Sequence, residues 1–209
     1  MTSLIRRSSP EGRVKSGRNI NAVQPQDVLA FWFGPPGETP ALRQQWFQRD
    51  DEFDMAIRDR FLATVETALA GALDHWACDA DGTLALVIVL DQFPRNLFRG
   101  SARAFAGDAA ARGHALHALE LGWQRGLPPL QQVFLYLPFE HAETLADQDR
   151  MVALTAPWRS DMALAPFHDY ALSHREVIRR FGHFAHRNAV LGRATTEREA
   201  AWLAERGEF

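Results

Sequence analysis

The side chains best suited to chemistry fall into three polar groups. The first is Asp91-Gln-Phe-Pro-Arg-Asn96, followed by Arg99. Arg95 and Arg99 lie one helical turn apart and can grip a carboxylate or phosphate through forked N–H donors, with Asp91 fixing one of them. An acid and an arginine at this spacing can equally close the bend at Pro94 as a structural ion pair. The second group is Glu140, His141 and Glu143, just after Pro138. An imidazole beside two carboxylates has the ingredients of a general acid or base, and with Glu140 or Glu143 it can also ligate a metal. Because Pro138 reads as a helix start, the glutamates also suit a first turn, where they favour the helix dipole.

The third group runs from His174 through Arg179, Arg180, His183, His186 and Arg187 to Asn188. On a continuous helix His183 and His186 share a face, and so do Arg179 and His183, giving a basic stripe suited to an anion. The competing expectation lays these stems along apolar neighbours, their heads in water or paired with Asp50, Asp54 or Asp91. His114 and His117 have no carboxylate close by in the pattern and read as helix-surface residues.

The elements that must position these groups read as helices. Pro25 suits a first helical turn and is followed by Val28, Leu29, Phe31, Trp32 and Phe33, with Gly34-Pro-Pro-Gly37 as the stop. Pro40 predicts a second helix carrying Leu42, Trp46 and Phe47. Asp50 or Asp51 caps a third, on which Phe53, Ile57, Phe61, Val65 and Leu69 recur at helical spacing until about Gly71. The apolar run Leu84–Leu90 suits a strand or a buried helix, and its helical neighbours favour the helix; Pro94 then breaks the chain direction. Further helices are predicted from about Gly107 to Leu121, from Pro128 to Tyr136 with an interruption at Pro138, and around Tyr170, Val177, Ile178, Phe181 and Phe184. A last one, capped by Thr195, docks through Trp202 and Leu203. No Asn-Gly hairpin signal occurs, so the class is all-α. Residues 1–22, rich in Ser, Gly and Arg, read as a flexible extension, and 23–209 as one helical domain.

Composition narrows the function classes. The 209-residue chain has a formal net charge of −3, which supplies no overall attraction to nucleic acid or an anionic membrane. Cys78 is the only cysteine, so no disulfide framework or thiolate zinc site is expected, and a cytoplasmic location fits. Lys15 is the only lysine, which argues against a lysine Schiff base in the core. Glycine-rich nucleotide loops, the Gly-x-Ser-x-Gly elbow, His-Glu-x-x-His and Glu-x-x-His pairs are all absent from the sequence. No cofactor or metal is therefore expected.

Several blocks together resemble the bacterial proteins grouped as domain of unknown function 924: Leu29-Ala-Phe-Trp-Phe-Gly34, Trp46-Phe47 with Asp50 and Phe53-Asp54, Leu90 to Asp108, Tyr136 to Glu143, and His174 to Arg193. The resemblance implies a tetratricopeptide-like array of antiparallel helices and, because that family has no established activity, no catalytic role. The chain departs from the family pattern at His183 and Ala185, where Arg and Pro stand, which removes one guanidinium from the basic stripe.

The leading expectation is a polar cleft in which Arg95, Asn96, His174, Arg180, Arg187 and Asn188 bind a small anionic molecule or an acidic peptide. The alternative is a hydrolase or lyase in which His141 or His186 moves protons, Asp91 orients it, and Arg95 or Arg180 stabilises negative charge. A third reading makes every cluster internal scaffolding. Oligomeric state is not readable.

Overall fold

Pro25 opens α1 (Pro25–Phe33), where its missing N–H costs nothing, and Asp27 returns its carboxylate to the Gln24 N–H at 2.8 Å. Gly34, at φ +106°, stops the helix. The structure is a computed structural model that describes residues 22–38 and 41–206. The expected flexible extension thus lies almost entirely outside the described residues, as does the expected helix start at Pro40. The second helix itself shrinks to a single 3-10 turn, Gln44–Trp46. Trp46 is pulled inward against Trp32 and Phe134, with ring centroids 5.8 and 4.8 Å away. Phe47 next to it is half exposed, so the segment has no continuous apolar face.

Asp50 caps α2 (Asp51–Leu69) by accepting the Phe53 N–H at 3.0 Å. Phe53, Ile57, Phe61 and Val65 then face inward as the spacing predicts.

The centre of the molecule is one helical path: α3 (Ala80–Val87), a π turn over Ile88–Gln92, and α4 (Phe93–Leu97). Leu84 to Leu90 are fully buried, with α1 and two later helices, over residues 108–120 and 129–140, packed on α3 and α2 on α4. Pro94 therefore does not break the chain, contrary to expectation. Having no N–H, it cannot pair with the Leu90 carbonyl in the α pattern; the helix widens to a π turn, with Phe93 N–H reaching Ile88 O, and continues.

α5 (Asp108–Glu120), packed on α3, is followed by α6 (Pro129–Glu140), α7 (Leu145–Thr155) and α8 (Ala165–Phe181), each of these three packed on its predecessor in the chain. α6 runs through Pro138, which neither interrupts nor starts a helix: it lies in the last turn, buried among apolar residues. Glu140 and His141 are consequently at a helix C-terminus, the opposite end to that expected. α8 stops at Gly182, φ +78°, so His183 and His186 do not share a helix face. α9 (Glu197–Arg206) is capped by Thr196 rather than Thr195, in a box with Glu199. Trp202 docks it on Val177, Ile178 and Phe184. Among the described residues the chain is all helix and turn, and no helix is long and apolar enough to cross a membrane.

Candidate functional site

Asp91 lies inside the π turn and is fully buried. Three side chains satisfy its carboxylate. His141 Nδ1 lies 2.8 and 2.9 Å from its two oxygens, Gln92 donates at 2.5 Å, and Arg95 Nη1 stands 3.3 Å away. Burial would raise this carboxyl, but the charge of Arg95, then the electrostatic interaction with His141, and hydrogen bonds from His141 and Gln92 hold it well below the ordinary carboxylate range. Asp91 is thus ionised and can only accept, so His141 Nδ1 carries the proton it donates. Burial, and then Arg95, push the His141 pKa below its ordinary value, which leaves the ring neutral with its lone pair on Nε2. Nε2 has no hydrogen-bond partner among the described residues, and 17% of the side chain is exposed.

A close backbone approach brings a second carboxylate. A Cβ at Gly107 would lie 2.1 Å from the Leu90 carbonyl oxygen, so only glycine lets the start of α5 pack against the π turn. The next residue, Asp108, then takes Arg95 bidentately at 2.8 and 3.0 Å. Arg95 also donates to the Asp91 carbonyl at 2.5 Å. It is locked on both sides.

The turn Ala185–Arg187 supplies Arg187, which is 7% exposed. Its Nη1 donates to the His141 carbonyl at 3.0 Å and lies 3.8 Å from Asp108. Its guanidinium sits over Phe105 and Phe184, 4.7 and 4.5 Å from the ring centroids. Burial, then Arg95, lower its pKa to about 10, still charged at neutral pH.

His174, on α8, donates from Nδ1 to the Tyr170 carbonyl at 2.9 Å, a contact that fixes the proton on Nδ1 because a carbonyl only accepts. The same nitrogen lies 3.8 Å from Glu140. Burial, and then the ionised Asp91, raise Glu140 to about 8, so it is protonated at neutral pH beside an ionised neighbour. Burial lowers both His174 and His186 to about 4, with Arg187 reinforcing the effect on His186. His186 packs on the Phe184 ring, 5.7 Å away.

The structure thus gathers Asp91, Arg95, His141, His174, His186 and Arg187 from α4, α6, α8 and two turns. It leaves out three of the sequence candidates. Asn96 turns to the other side and donates to Asp54 at 2.7 Å, a carboxylate that also takes Arg99. Arg180 is exposed on α8, over the Phe181 ring. Asn188 is fully buried and reaches toward Ala194 O and Thr195 Oγ1 at 3.5 and 3.4 Å, bracing the turn that carries Arg187. Glu143 is tied to Arg193 at 2.6 and 3.0 Å and to the Phe184 N–H, and among the described residues no three acidic, histidine or cysteine side chains form a group able to hold a metal ion. Sequence reasoning gave no site role to Asp108 and Phe105, although both lie in the Leu90–Asp108 block, and read Phe184 only as a packing residue.

The fold and site define an all-helical protein built around a buried carboxylate–imidazole pair flanked by two arginines. The chain belongs to the family described as bacterial protein of unknown function (DUF924), whose profile it matches over residues 28–207. Among solved structures it is similar to the protein of unknown function ATU0120 from Agrobacterium tumefaciens, with 38% identity and a TM-score of 0.78, over 87% of this chain and 97% of that one. No curated protein sequence matches it.

Proposed function

We propose that the protein binds a small anionic molecule at this cluster and moves a proton on it, with His141 as the acid–base group. The observation that supports the reading is the pairing of His141 Nδ1 with the ionised, fully buried Asp91, which leaves Nε2 without a partner among the described residues, on a ring that still touches solvent. Asp91 holds the tautomer and stabilises the imidazolium once Nε2 has taken a proton, so it is a positioning residue. Arg187 supplies positive charge beside the reacting group. Arg95, already committed to Asp91 and Asp108, organises the floor of the site. Such a set suits hydrolysis, in which Nε2 removes a proton from the attacking water, or elimination, in which it removes one from carbon.

The test is turnover of a panel of small carboxylated and phosphorylated esters, amides and hydroxy acids by the wild-type protein and by His141→Gln. An active substrate should lose about 100-fold or more in kcat with the imidazole removed. Equal turnover by both proteins ends the proposal.

A further inference from the structure

The arginines of this chain show how a guanidinium is used when its work is structural. Arg99 presents the edge formed by Nε and Nη2 to Asp54, at 2.6 and 2.9 Å. Arg179 presents the same edge to Glu176, at 2.7 Å from each nitrogen. In both, two parallel N–H donors meet two carboxylate oxygens. Arg193 leaves its Nε unpaired, yet both of its Nη groups are taken, by Glu143 and the Phe184 carbonyl.

Arg187 differs from all three. Its side chain is more than nine-tenths buried, and only Nη1 is engaged, by the His141 carbonyl and more distantly by Asp108. Nε is buried without a partner, and Nη2 makes no hydrogen bond among the described residues. The Nε–Nη2 edge, the one that takes a carboxylate elsewhere in the molecule, therefore has no partner among the described residues. A buried donor without an acceptor is costly, and where Arg193 leaves one nitrogen unpaired, Arg187 leaves two adjacent ones, a pair that an arriving acceptor would satisfy. Phe105 and Phe184 flank the guanidinium and restrict its rotation, so the fork has a fixed plane. The Nη1 contact to the His141 backbone sets that plane beside the imidazole.

We infer that the Nε–Nη2 fork of Arg187 is the subsite for a carboxylate group of the ligand, held side-on next to His141. This rests on the proposed acid–base reading only for what happens to the ligand afterwards; binding at the fork stands without it. Local pairing is consistent with this. Arg95 is held by Asp91 and Asp108 at 3.3 and 2.8 Å, whereas the nearest carboxylate to Arg187 stands 3.8 Å away.

The experiment follows the arginine Nε–H resonances of the full chain by NMR during titration with succinate, inorganic phosphate, and a short peptide with a free C-terminus. Affinities are then measured for wild type, Arg187→Lys and His141→Gln. The expected result is a saturable shift of the Arg187 Nε–H with succinate or the peptide, and at least about ten-fold weaker binding in Arg187→Lys, which keeps the charge but loses the fork. Response to the peptide and not to succinate assigns the carboxylate to a chain end, and the converse to a free small molecule; either supports the fork. An Arg187 Nε–H unmoved by every probe, tighter binding of phosphate than of succinate, or wild-type affinity in Arg187→Lys overturns it. If Arg187→Lys does not fold, the wild-type titration decides alone. His141→Gln separates the two proposals: it should bind succinate within about three-fold of wild type, so loss of turnover with binding kept speaks only to the proton-transfer role.

Discussion

One helical path, residues 80–97, carries two polar clusters on different sides, and they are built to different specifications. Asp54, Asn96 and Arg99 close on themselves: the carboxylate meets an amide and a bidentate guanidinium, and α2 is thereby tied to α4. Asp91, His141, Arg95, Asp108 and Arg187 are more deeply buried yet unfinished, with His141 Nε2 and one edge of Arg187 unmatched among the described residues. The difference teaches how to separate scaffold from site when residue types are the same. A structural cluster uses up its donors and acceptors, whereas a site holds some of its groups rigidly and leaves others unpaired.

The largest expected effect that would break the comparison is Asp91→Ala. It leaves the Arg95 charge half paired and His141 and Gln92 without their acceptor, and should cost about 3–5 kcal/mol of stability in chemical denaturation. A cost near that of an exposed pair would place both clusters in one class. Gly107→Ala comes next. Its methyl would press on a backbone carbonyl that cannot move without disturbing the π turn, and a loss of about 3 kcal/mol is expected. Asp108 should also draw away from Arg95, visible as a changed Arg95 Nε–H resonance.

Glu140 supplies a pH test. Its folded pKa, about 8, lies above the ordinary value of 4.5, so between those pH values the folded protein holds a proton that the unfolded chain has released. Stability therefore falls as pH rises through that window, by at most about 1.4 kcal/mol per pH unit from this group. His174 and His186, lowered to about 4, act in the opposite sense and lose stability as pH falls from 6.5 toward 4. Above pH 6.5 only the Glu140 effect operates among these three, so the wild-type melting temperature should decline from pH 6.5 to 8 and Glu140→Gln should flatten the decline. An unchanged slope would place the ionised carboxylate of Glu140 in a solvated setting. The smallest effect is expected from Asp54→Ala: about 1 kcal/mol, with no change in the titration of His141.

Much of the scaffold was legible before any coordinates. Pro25, Asp50 and the spacing of Phe53, Ile57, Phe61 and Val65 mark helix starts and faces through local rules, and those rules held. Prolines misled where burial outweighed them: Pro94 and Pro138 each remove one N–H, but the packing on both sides keeps the helices going. The stripe from Arg179 to His186 was misread for the converse reason. Gly182 ends α8, and the remaining residues take directions that periodicity cannot supply.

The sequence by itself determined the helical class, the family and the kinds of chemistry available, because helix caps, apolar spacing and residue type are local properties. It also marked Asp91, Arg95, His141 and Arg187 as chemically capable. Only tertiary structure decided that these four meet, that Asn96, Arg180 and Asn188 do not join them, and that one edge of Arg187 lacks a partner among the described residues. Asp91 and His141 are fifty residues apart in the chain. Their pairing depends on a π turn, a glycine at the start of another helix and the end of a third, and no local pattern encodes the distance between such elements.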